Sequence, residues 1–434
     1  MSYPTKKLND ISIIRTGKLD STAAVENGIY PFFTCDPQTL TINTWAYDTE
    51  AVLLAGNNAS GNYTAKYFKG KFNAYQRTYI IESADCNLIN VRFLCYAMNL
   101  QLQLLKAMSS GSTTKFLTIR MLNDLNIPCP DIKTQKEIAD ILSAYDDLIE
   151  NNQKQIKLLE EAAQRLYKEW FVDLHFPGHE STPIIDDIPQ GWEKKAVNNV
   201  VSLLSGFAFK SDDFDKQGKY KIVTIKNVQD GAFDGDNVNR IMEVPSKMPK
   251  HCLLKDGDIL LSLTGNVGRI CLVNGQNYLL NQRVAKLQSD IPAFAYCLFR
   301  SKEMFDEMNN LANGAAQQNL SPIRTGEVKV LVPNLLMQTQ FENIAMPIIS
   351  KMLVLSKQNI VLKEARDRLL PKLMNGEIEV GMDEKETAKK DNFDYIRQHW
   401  RDTPYNKDLP LAARSTGDIS EETLEKLKEI AEEE

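Results

Sequence analysis

The chain has 434 residues, of which 43% are hydrophobic and 25% charged, which excludes a disordered or fibrous protein and predicts roughly two to four globular domains. The start, MSYPTKKLND, has no apolar signal-peptide core, and no segment reaches the roughly 18 apolar residues of a membrane span, so we expect a soluble, cytoplasmic protein. Seven cysteines form an odd number without a CxxC pair, which predicts reduced and mostly buried thiols.

The net charge of −6 is unevenly distributed along the chain. Residues 381–434 hold fifteen acidic and nine basic residues, so the rest of the chain is neutral overall. Within that rest, residues 1–130 and 188–335 each carry a net charge of +3. Two mildly basic regions are compatible with a nucleic-acid partner, although many proteins that bind no anion have the same charge.

The first 130 residues predict an α+β domain. Ala51–Ala55 and Arg77–Ile81 are expected as strands because they are rich in β-branched and aliphatic residues, and Val91–Met108 is expected as a helix. A Gly-Asn-rich turn follows the first of these strands, and GSTTK from Gly111 forms a polar loop before the next element. We therefore expect strands, then a helix, then a return loop.

A long heptad helix is predicted from Thr134 to Phe171, and a second copy begins 203 positions later. The apolar stripe of the first copy includes Ile138, Leu142 and Ile149, with steps that alternate between four and three. Each stripe contains one asparagine near its middle, Asn152 in the first and Asn359 in the second. An antiparallel coiled coil with these two amides opposite each other would fix the register of the pair. The alternative is that each helix packs separately on its own domain.

The second globular region resembles the first in order and in sequence. YPTKKLNDISIIRTG from Tyr3 aligns with WEKKAVNNVVSLLSG from Trp192, and GSTTKFLT from Gly111 aligns with GAAQQNLS from Gly314. The offset grows from 189 to 203, so the second copy contains about fourteen extra residues. Predicted strands lie at Asp258–Leu263, Lys221–Ile225, Gly268–Val273 and Glu327–Leu331, and Ala293–Leu311 is predicted as a helix. The resulting division is a first domain at 1–130, a helix at 131–173, a linker at 174–189, a second domain at 190–335, a second helix at 336–380 and an acidic tail at 381–434.

Catalytic and metal-binding motifs are missing from the sequence. It has no GxxxxGK[ST], GxGxxG, GxSxG or HExxH pattern and no N/D-P-P-Y/F loop. His175 and His179 are four residues apart, but Pro177 and Gly178 between them disfavour a helix and no third ligand is near. We therefore predict no metal site and no catalytic residue.

The two domains instead carry amides and basic side chains in their loops. Asn and Gln can bond adenine edges in pairs, Arg can bond guanine, and Lys can neutralise phosphates, so these residues suit contact with duplex DNA. Loops rich in Asn and Gly are also ordinary turns, and this alternative applies to each residue singly. The candidate DNA-binding residues are Asn57, Asn58, Asn62, Lys69, Lys71, Gln76, Arg77 and Lys115 in the first domain and Asn227, Asn266, Arg269, Gln282, Arg283, Gln317 and Gln318 in the second.

The two copies together resemble the DNA-specificity subunit of type I restriction-modification enzymes. The resemblance is carried by IPCPDIKTQKEIADIL with LLEEAAQRLYKEWF, by LVPNLLMQTQFENIA with LKEARDRLLPKLMNGEI, and by the GWxxK-like starts of the domains. It covers residues 1 to about 380, and the first domain departs from it by starting with Tyr3-Pro4 where Gly-Trp is usual.

The resemblance implies two target-recognition domains joined by an antiparallel coiled coil that acts as a ruler. It implies a subunit without catalysis or cofactors of its own, which reads a two-part asymmetric target in double-stranded DNA. The partners implied are two modification subunits that methylate adenine with S-adenosylmethionine, and restriction subunits that translocate and cut DNA with ATP and Mg. Two other classes stay open: a self-contained nuclease or methyltransferase with an unrecognised site, and a coiled-coil adaptor whose loops touch no DNA.

Overall fold

The computed structural model describes residues 3–58, 63–108, 115–236, 238–312 and 319–380. It divides into two compact units, one formed by residues up to 138 together with those from 371 onward, the other by residues 139–370. Both units combine helices with sheets, so the predicted α+β class is confirmed. The unit boundary cuts both long helices near one end.

The first unit is built mainly from one curled sheet. Its elements are β1 (Thr5–Lys7), α1 (Leu8–Ile11), β2 (Ser12–Thr16), β3 (Tyr30–Phe33), β4 (Leu40–Ile42), β5 (Tyr47–Ala55), β6 (Asn57–Asn58), β7 (Ala65–Ala74), β8 (Thr78–Ser83), α2 (Val91–Met108), β9 (Lys115–Phe116), α3 (Ile119–Asn123) and β10 (Asn126–Pro128). Six strands follow the order β2-β8-β5-β7-β3-β4, and only the β3–β7 pair is parallel. The core of this sheet includes Phe33, Leu53, Phe72 and Ile80, all buried.

The second unit contains the same kind of domain, with most of its strands divided between two four-stranded sheets and the rest in the two-stranded pairs β11–β12 and β13–β22. Its elements are α4 (Ile132–Tyr167, which begins in the first unit), β11 (Ile184–Ile185), β12 (Ile188–Pro189), β13 (Glu193–Ala196), β14 (Ser202–Ser205), β15 (Tyr220–Val223), β16 (Asn239–Ile241), β17 (Leu253–Leu254), β18 (Ile259–Ser262), β19 (Ile270–Leu272), β20 (Tyr278–Leu280), β21 (Val284–Gln288), α5 (Pro292–Arg300), α6 (Lys302–Ala312), α7 (Pro322–Glu327), β22 (Lys329–Val332) and α8 (Leu335–Met374). The four-stranded sheets have the orders β14-β21-β18-β19 and β16-β15-β20-β17.

Two glycines show that the repeat extends to the backbone. A Cβ on Gly17 would lie 2.2 Å from the carbonyl oxygen of Ala74, and a Cβ on Gly206 would lie 2.2 Å from that of Asn281. Such distances are far inside van der Waals contact, so only glycine fits at either place. The glycine that ends the aligned starts of the two domains is thus a site where the backbone passes directly against the neighbouring turn.

The extra residues of the second domain can now be located. Strands β3 and β4 are joined by residues 34–39, whereas their counterparts β15 and β16 are joined by residues 224–238, which is fifteen residues against six. A second insertion lies between β16 and β18, where β17 has no separate counterpart. The first of these insertions, which we call the 224–238 loop, lies beside the candidate site described below.

Within the second unit, α4 and α8 form the predicted antiparallel coiled coil. Asn152 is 8% exposed, and its side-chain Nδ2 donates a hydrogen bond of 2.9 Å to Oδ1 of Asn359. The heptad pattern predicted that these two amides would lie opposite each other, and this prediction is confirmed. Arg366, at a stripe position of α8, pairs with Asp146 of α4 at 2.5 Å. The twenty positions of the two predicted stripes are all buried or half-buried.

An aromatic cluster closes one end of this coiled coil. A π-helical turn, Lys168–Val172, continues α4 and carries Trp170 and Phe171. The Phe171 ring lies 4.9 Å from that of Phe341 on α8 and 5.1 Å from that of Phe294 on α5. Because these rings belong to both long helices and to the second domain, one core joins all three in this unit.

The helix α8 departs from one expectation. It is long enough for a membrane span and contains an 18-residue window with a mean hydropathy of 1.2, contrary to the sequence prediction that no segment qualifies. One such helix is weak evidence, because the core helix of a soluble protein meets the same criterion. Phe341, Ala345, Met352 and Leu355 of this helix are buried against protein in the second unit.

The repeated P-x-x-x-x-Q motif has the same role in both copies. The Gln135 side chain donates from Nε2 to the carbonyl of Pro130 at 2.8 Å, and Gln338 donates to the carbonyl of Pro333 at 2.7 Å. Gln135 is fully buried and also accepts the backbone N–H of Asn90 at 2.9 Å. The motif therefore fixes the entry of each long helix and, in the first domain, satisfies an N–H at the start of α2.

Two sequence predictions of local structure are wrong. The lysine-rich stretch Ala65–Ala74, interpreted as a loop, is the longest described strand of the sheet and pairs with both β5 and β3. The helix expected at Ala293–Leu311 is broken at Ser301, whose side-chain oxygen accepts the N–H of Met304 at the start of α6.

The expected linker contains ordered structure as well. Strands β11 and β12 pair as a hairpin, and Asp186 and Asp187 at its turn have φ of 49° and 61°, as a type I′ turn requires. Before the hairpin, Phe176 is buried and its ring lies 4.6 Å from that of Trp192. Because its backbone is paired and its aromatic side chain is packed, this segment is fixed within the second unit.

Candidate nucleic-acid interface

Several loops of the first domain meet at one edge of the curled sheet. The backbone N–H of Gly56, just after β5, donates to the carbonyl of Arg77 in the β7–β8 turn at 2.8 Å. The carbonyl of Gly56 in turn accepts the N–H of Leu117 in the return loop at 2.8 Å. The N–H of Gln76 donates to the carbonyl of Leu19 at 2.8 Å. These bonds hold the turn so that the Gln76 and Arg77 side chains are exposed.

The second domain forms the same set of bonds with different residues. The N–H of Leu263, just after β18, donates to the carbonyl of Arg283 at 3.0 Å, and the carbonyl of Leu263 accepts the N–H of Leu320 at 2.8 Å. The N–H of Gln282 donates to the carbonyl of Phe207 at 3.0 Å. Gln282 and Arg283 are therefore presented as Gln76 and Arg77 are, and both are exposed. We call these two exposed pairs the Gln-Arg turns.

Asn57 lies in the first of these loop clusters. It is half-buried, and its Oδ1 accepts a hydrogen bond of 3.0 Å from Sγ of Cys35, in the loop that follows β3. Cys35 was not among the predicted site residues, because a single cysteine carries no spacing signal in a sequence. At the corresponding place in the second domain, Ile225 lies against the turn at Gly265.

Asn266 and Arg269 lie on the turn that follows β18. Asn266 is exposed. Arg269 is half-buried, and its Nη1 donates to Oε1 of Gln229 in the 224–238 loop at 2.6 Å. The structure thus brings two predicted residues to the edge that also carries the second Gln-Arg turn, together with Gln229, which the sequence did not single out.

The predicted lysines of the first domain occupy a different setting from the one expected. Lys69 and Lys71 are on strand β7, and both are exposed. Nζ of Lys69 pairs with Glu50 at 3.3 Å, and Nζ of Lys71 lies 4.6 Å from the centre of the Trp45 ring. Neither lysine belongs to the loop cluster, although both remain available to phosphate groups on the face of the strand.

Asn227 was predicted to bind DNA, but the structure places it inside its own loop. Its side chain is 3% exposed, and its Oδ1 accepts from the N–H and the hydroxyl of Thr224 at 2.8 and 3.0 Å. Its Nδ2 donates to the carbonyl of Asp234 at 2.9 Å, with a longer contact of 3.4 Å to that of Asp236. With its hydrogen-bonding capacity used inside the 224–238 loop, this amide shapes the loop and has nothing left for a base.

The remaining predicted residues lie wholly or partly outside the described part of the chain. Asn62, Gln317 and Gln318 lie outside the described residues, as do the side chains of Asn58 and Lys115. The backbones of Asn58 and Lys115 are described, and they pair with each other in the short β6–β9 ladder. This ladder joins the turn after β5 to the return loop, so the predicted loops of the first domain do adjoin.

A charged network lies behind the second cluster. Nε of Arg300 donates to Glu160 of α4 at 2.8 Å, Nη1 of Arg300 pairs with Asp230 of the 224–238 loop, and the hydroxyl of Tyr296 donates to Glu160 at 2.6 Å. Burial acts to lower the pKa of Arg300, but the Glu160 carboxylate outweighs it and raises that pKa. Arg300 therefore stays charged and ties the second domain to the coiled coil.

Within the described part of the chain, no group of three or more His, Cys, Asp or Glu side chains could hold a metal ion. His175 and His179 do approach each other, with ring centres 5.4 Å apart, but Nδ1 of His179 is 2.9 Å from the carbonyl of Phe176. Both loop clusters offer hydrogen-bonding amides and positively charged side chains.

Comparison with known proteins agrees with this geometry. The family model described as the type I restriction modification DNA specificity domain matches residues 2–161 and again 189–358. The chain belongs to this family. Each copy of the specificity domain thus covers one globular domain and much of the long helix that follows it.

Relatives support the assignment, and a solved structure has a similar fold. The chain is 35% identical over 165 residues to the EcoDI specificity subunit of Escherichia coli, covering 38% of this chain and 36% of that protein. It is 29% identical over 287 residues to the MjaIX specificity subunit of Methanocaldococcus jannaschii, covering 64% of this chain and 66% of that one. The S subunit of a type I restriction-modification system from M. genitalium has a similar fold, with a TM-score of 0.56 at 17% identity over 86% of this chain and 96% of that one.

Proposed function

We propose that this chain is the DNA-recognition subunit of a type I restriction-modification complex and that it reads a two-part, asymmetric target. Residues 1–130 would read one half of the target and residues 190–335 the other, with the coiled coil setting the unread spacer between them. The observation that carries the proposal is the pair of Gln-Arg turns, which two different sequences present through the same set of backbone hydrogen bonds.

The chemistry of these turns fits base recognition. An exposed Arg can bond O6 and N7 of guanine together, and an exposed Gln can bond adenine in the same paired way. Because the backbone at each turn is fixed by bonds to two other loops, the backbone of the turn loses little freedom on binding, and the ordering cost is confined to the two exposed side chains. The two domains differ in the side chains around the turns, such as Cys35 and Asn57 against Ile225 and Thr264, so we expect two different half-sites.

Partners would supply the chemistry. By the family resemblance, two modification subunits with S-adenosylmethionine would methylate adenine, and restriction subunits would use ATP and Mg to translocate and cut DNA in the cytoplasm. This chain would itself hold no cofactor. An independent methyltransferase or nuclease is the rival of another class, and the purified chain tested alone with S-adenosylmethionine or Mg should show neither activity.

The test is methylation mapping in cells that express the chain with its modification subunits. Adenine methylation should appear at a two-part motif with a constant gap and should vanish when the chain is left out. Arg77→Ala should relax one position of one half-site and Arg283→Ala one position of the other, each at a cost of about 1 to 3 kcal/mol in binding. Lys247→Ala, an exposed change outside both clusters, is the matched control. An assembled complex that methylates no such motif would favour the rival reading of a protein-protein adaptor.

A further inference from the structure

The second domain contains a cleft that the first domain, with its shorter loop, cannot form. The cleft has a volume of about 580 Å³ and lies between the 265–269 turn, the 224–238 loop and the junction of α5 with α6. Its polar lining includes Asp230, Asn266, Arg269, Arg300 and Lys302. The 224–238 loop, nine residues longer than its counterpart at 34–39, supplies one wall.

The wall is held in place by bonds to the body of the domain. The N–H of Gly231 donates to the carbonyl of Ile270 on β19 at 2.9 Å. The buried amide of Asn227 closes the loop on itself through Thr224 and Asp234. Because these bonds are buried and backbone-directed, the cleft exists before any ligand arrives, which lowers the entropic cost of binding.

The charges that line the cleft do not cancel. Arg300 is matched by Glu160 behind it and Asp230 beside it, so it acts mainly as a support. Arg269 is held instead by the neutral amide of Gln229, and an amide orients a guanidinium without neutralising its charge. In the described part of the chain, neither Arg269 nor the exposed Lys302 forms a salt bridge. Three cations, Arg269, Arg300 and Lys302, thus face two carboxylates, Glu160 and Asp230, and the cleft keeps a net charge of +1.

The position of the cleft indicates which anion it would take. The turn that lines it begins directly after Leu263, whose N–H bonds the carbonyl of Arg283 in the second Gln-Arg turn. A duplex read by Gln282 and Arg283 would bring its own phosphates close to the same turn. A phosphodiester group carries one negative charge and accepts several hydrogen bonds, which suits one guanidinium, one ammonium and the Asn266 amide.

We propose that this cleft is a subsite for a DNA backbone phosphate that flanks the half-site read by the second domain, with Arg269 and Lys302 as contacting residues and Gln229 as a positioning residue. The inference rests on the proposed function. It further implies that the two domains bind DNA unequally, because the first domain has only the short 34–39 loop where the second builds this wall.

The experiment measures the salt dependence of binding for the full complex and duplexes that contain the mapped target. Lys302→Ala should lower the slope of log K against log salt by about 0.9, which corresponds to about a fivefold loss of affinity near 0.15 M salt. Cognate and non-cognate duplexes should lose affinity alike, because a phosphate contact carries no base preference. Gln229→Glu, which places a carboxylate on Arg269 with little change of shape, should lower the slope to a similar extent.

Controls separate the subsite from general effects of charge and folding. Lys247→Ala removes an exposed lysine elsewhere in the second domain and should leave the slope as it is. A neutral methylphosphonate at one phosphate beside the second half-site should weaken binding of the parent complex, and Lys302→Ala should cause no further loss on that duplex. Unchanged thermal unfolding of the variants excludes misfolding as the cause.

The outcomes distinguish this inference from the function on which it rests. If the parent complex prefers its target but neither Lys302→Ala nor Gln229→Glu changes the slope, the subsite is refuted and the proposed function stands. If the slope falls but no single methylphosphonate abolishes the effect of Lys302→Ala, the lysine acts through long-range charge and the subsite is refuted as well. If the parent complex shows no preference for any target, the proposed function fails and the subsite with it.

Discussion

The hydrogen bond between Asn152 and Asn359 allows a quantitative test of how the coiled coil is held in register. Asn152 is 8% exposed, and its Nδ2 lies 2.9 Å from Oδ1 of Asn359. Asn152→Ala leaves the half-buried Asn359 amide without this partner. An unsatisfied buried polar group costs about 1 to 3 kcal/mol, so we expect the free energy of unfolding to fall by that amount.

Replacing both asparagines gives the opposite expectation. In the double variant Asn152→Leu, Asn359→Leu, no buried amide is left unpaired and two apolar side chains meet in the seam. Such replacements are often neutral or stabilising, so the double variant should be at least as stable as the parent within about 1 kcal/mol. The pair would lose its unique register, because leucine stripes pair equally well when one helix slips by a heptad.

Urea unfolding followed by the helical circular dichroism signal measures the stability change, and methylation mapping measures the register. Under the proposed function, complexes that contain the double variant should methylate additional targets whose gap differs from that of the parent. Gln153→Ala, an exposed change next to Asn152, is the matched control and should stay within about 0.5 kcal/mol of the parent. If the single variant is as stable as the parent, or the double variant is less stable than the single one, the pair does not act as argued.

Three further changes test other parts of the fold. Gly206→Ala places a methyl 2.2 Å from the carbonyl oxygen of Asn281, so it should cost roughly 2 kcal/mol or more in urea unfolding, because the backbone must shift. Glu160→Gln removes the charge that Arg300 pairs with while keeping a side chain of the same shape, and it should cost about 2 kcal/mol or more by the same measurement. Gln135→Leu removes the hydrogen-bond partner of the Asn90 N–H and of the Leu88 and Pro130 carbonyls. It should therefore destabilise the first domain by roughly 3 kcal/mol and speed hydrogen exchange at the start of α2.

Each of these changes has a control nearby. Ser205→Ala, Glu161→Gln and Lys136→Ala are exposed changes beside Gly206, Glu160 and Gln135 respectively, and each should stay within about 0.5 kcal/mol of the parent. Stability of Gly206→Ala equal to the parent would show that the turn can move aside. A neutral Glu160→Gln variant would show that Arg300 is satisfied by solvent and by Asp230.

The long helices could be predicted in detail because their signal is periodic and repeated. Alternating steps of three and four place the stripe residues on one face whatever the surroundings, and one asparagine near the middle of each stripe specifies the register of the antiparallel pair. Strand β7 could not be predicted in this way. Its sequence, AKYFKGKFNA, mixes lysines and a glycine with its apolar residues, and it becomes a strand because β5 pairs with it along residues 65–72 and β3 pairs with its last two residues.

The loop residues were predictable as a group and unpredictable singly. Asn227 and Asn266 have the same side chain in similar Gly- and Asn-containing segments, yet one is buried inside its own loop and the other is exposed. The difference arises from which backbone groups lie within reach after folding, and no local pattern encodes that. Gln229 and Lys302 were missed for a related reason, since the only signal was a difference of length between the two copies.

The two domains suggest why such a scaffold can change its target without losing its fold. The bonds that position the Gln-Arg turns run between backbone groups, from Gly56 to Arg77 in one domain and from Leu263 to Arg283 in the other. Because a backbone bond does not depend on the identity of the side chain, substitutions at the exposed positions leave it intact. The positions that must stay fixed include Gly17 and Gly206, where no side chain fits, and Gly56, where a Cβ would lie 2.7 Å from the carbonyl oxygen of Arg77. We therefore expect exchange of the exposed turn residues to alter recognition at little cost in stability, whereas change at any of these glycines should unfold the turn.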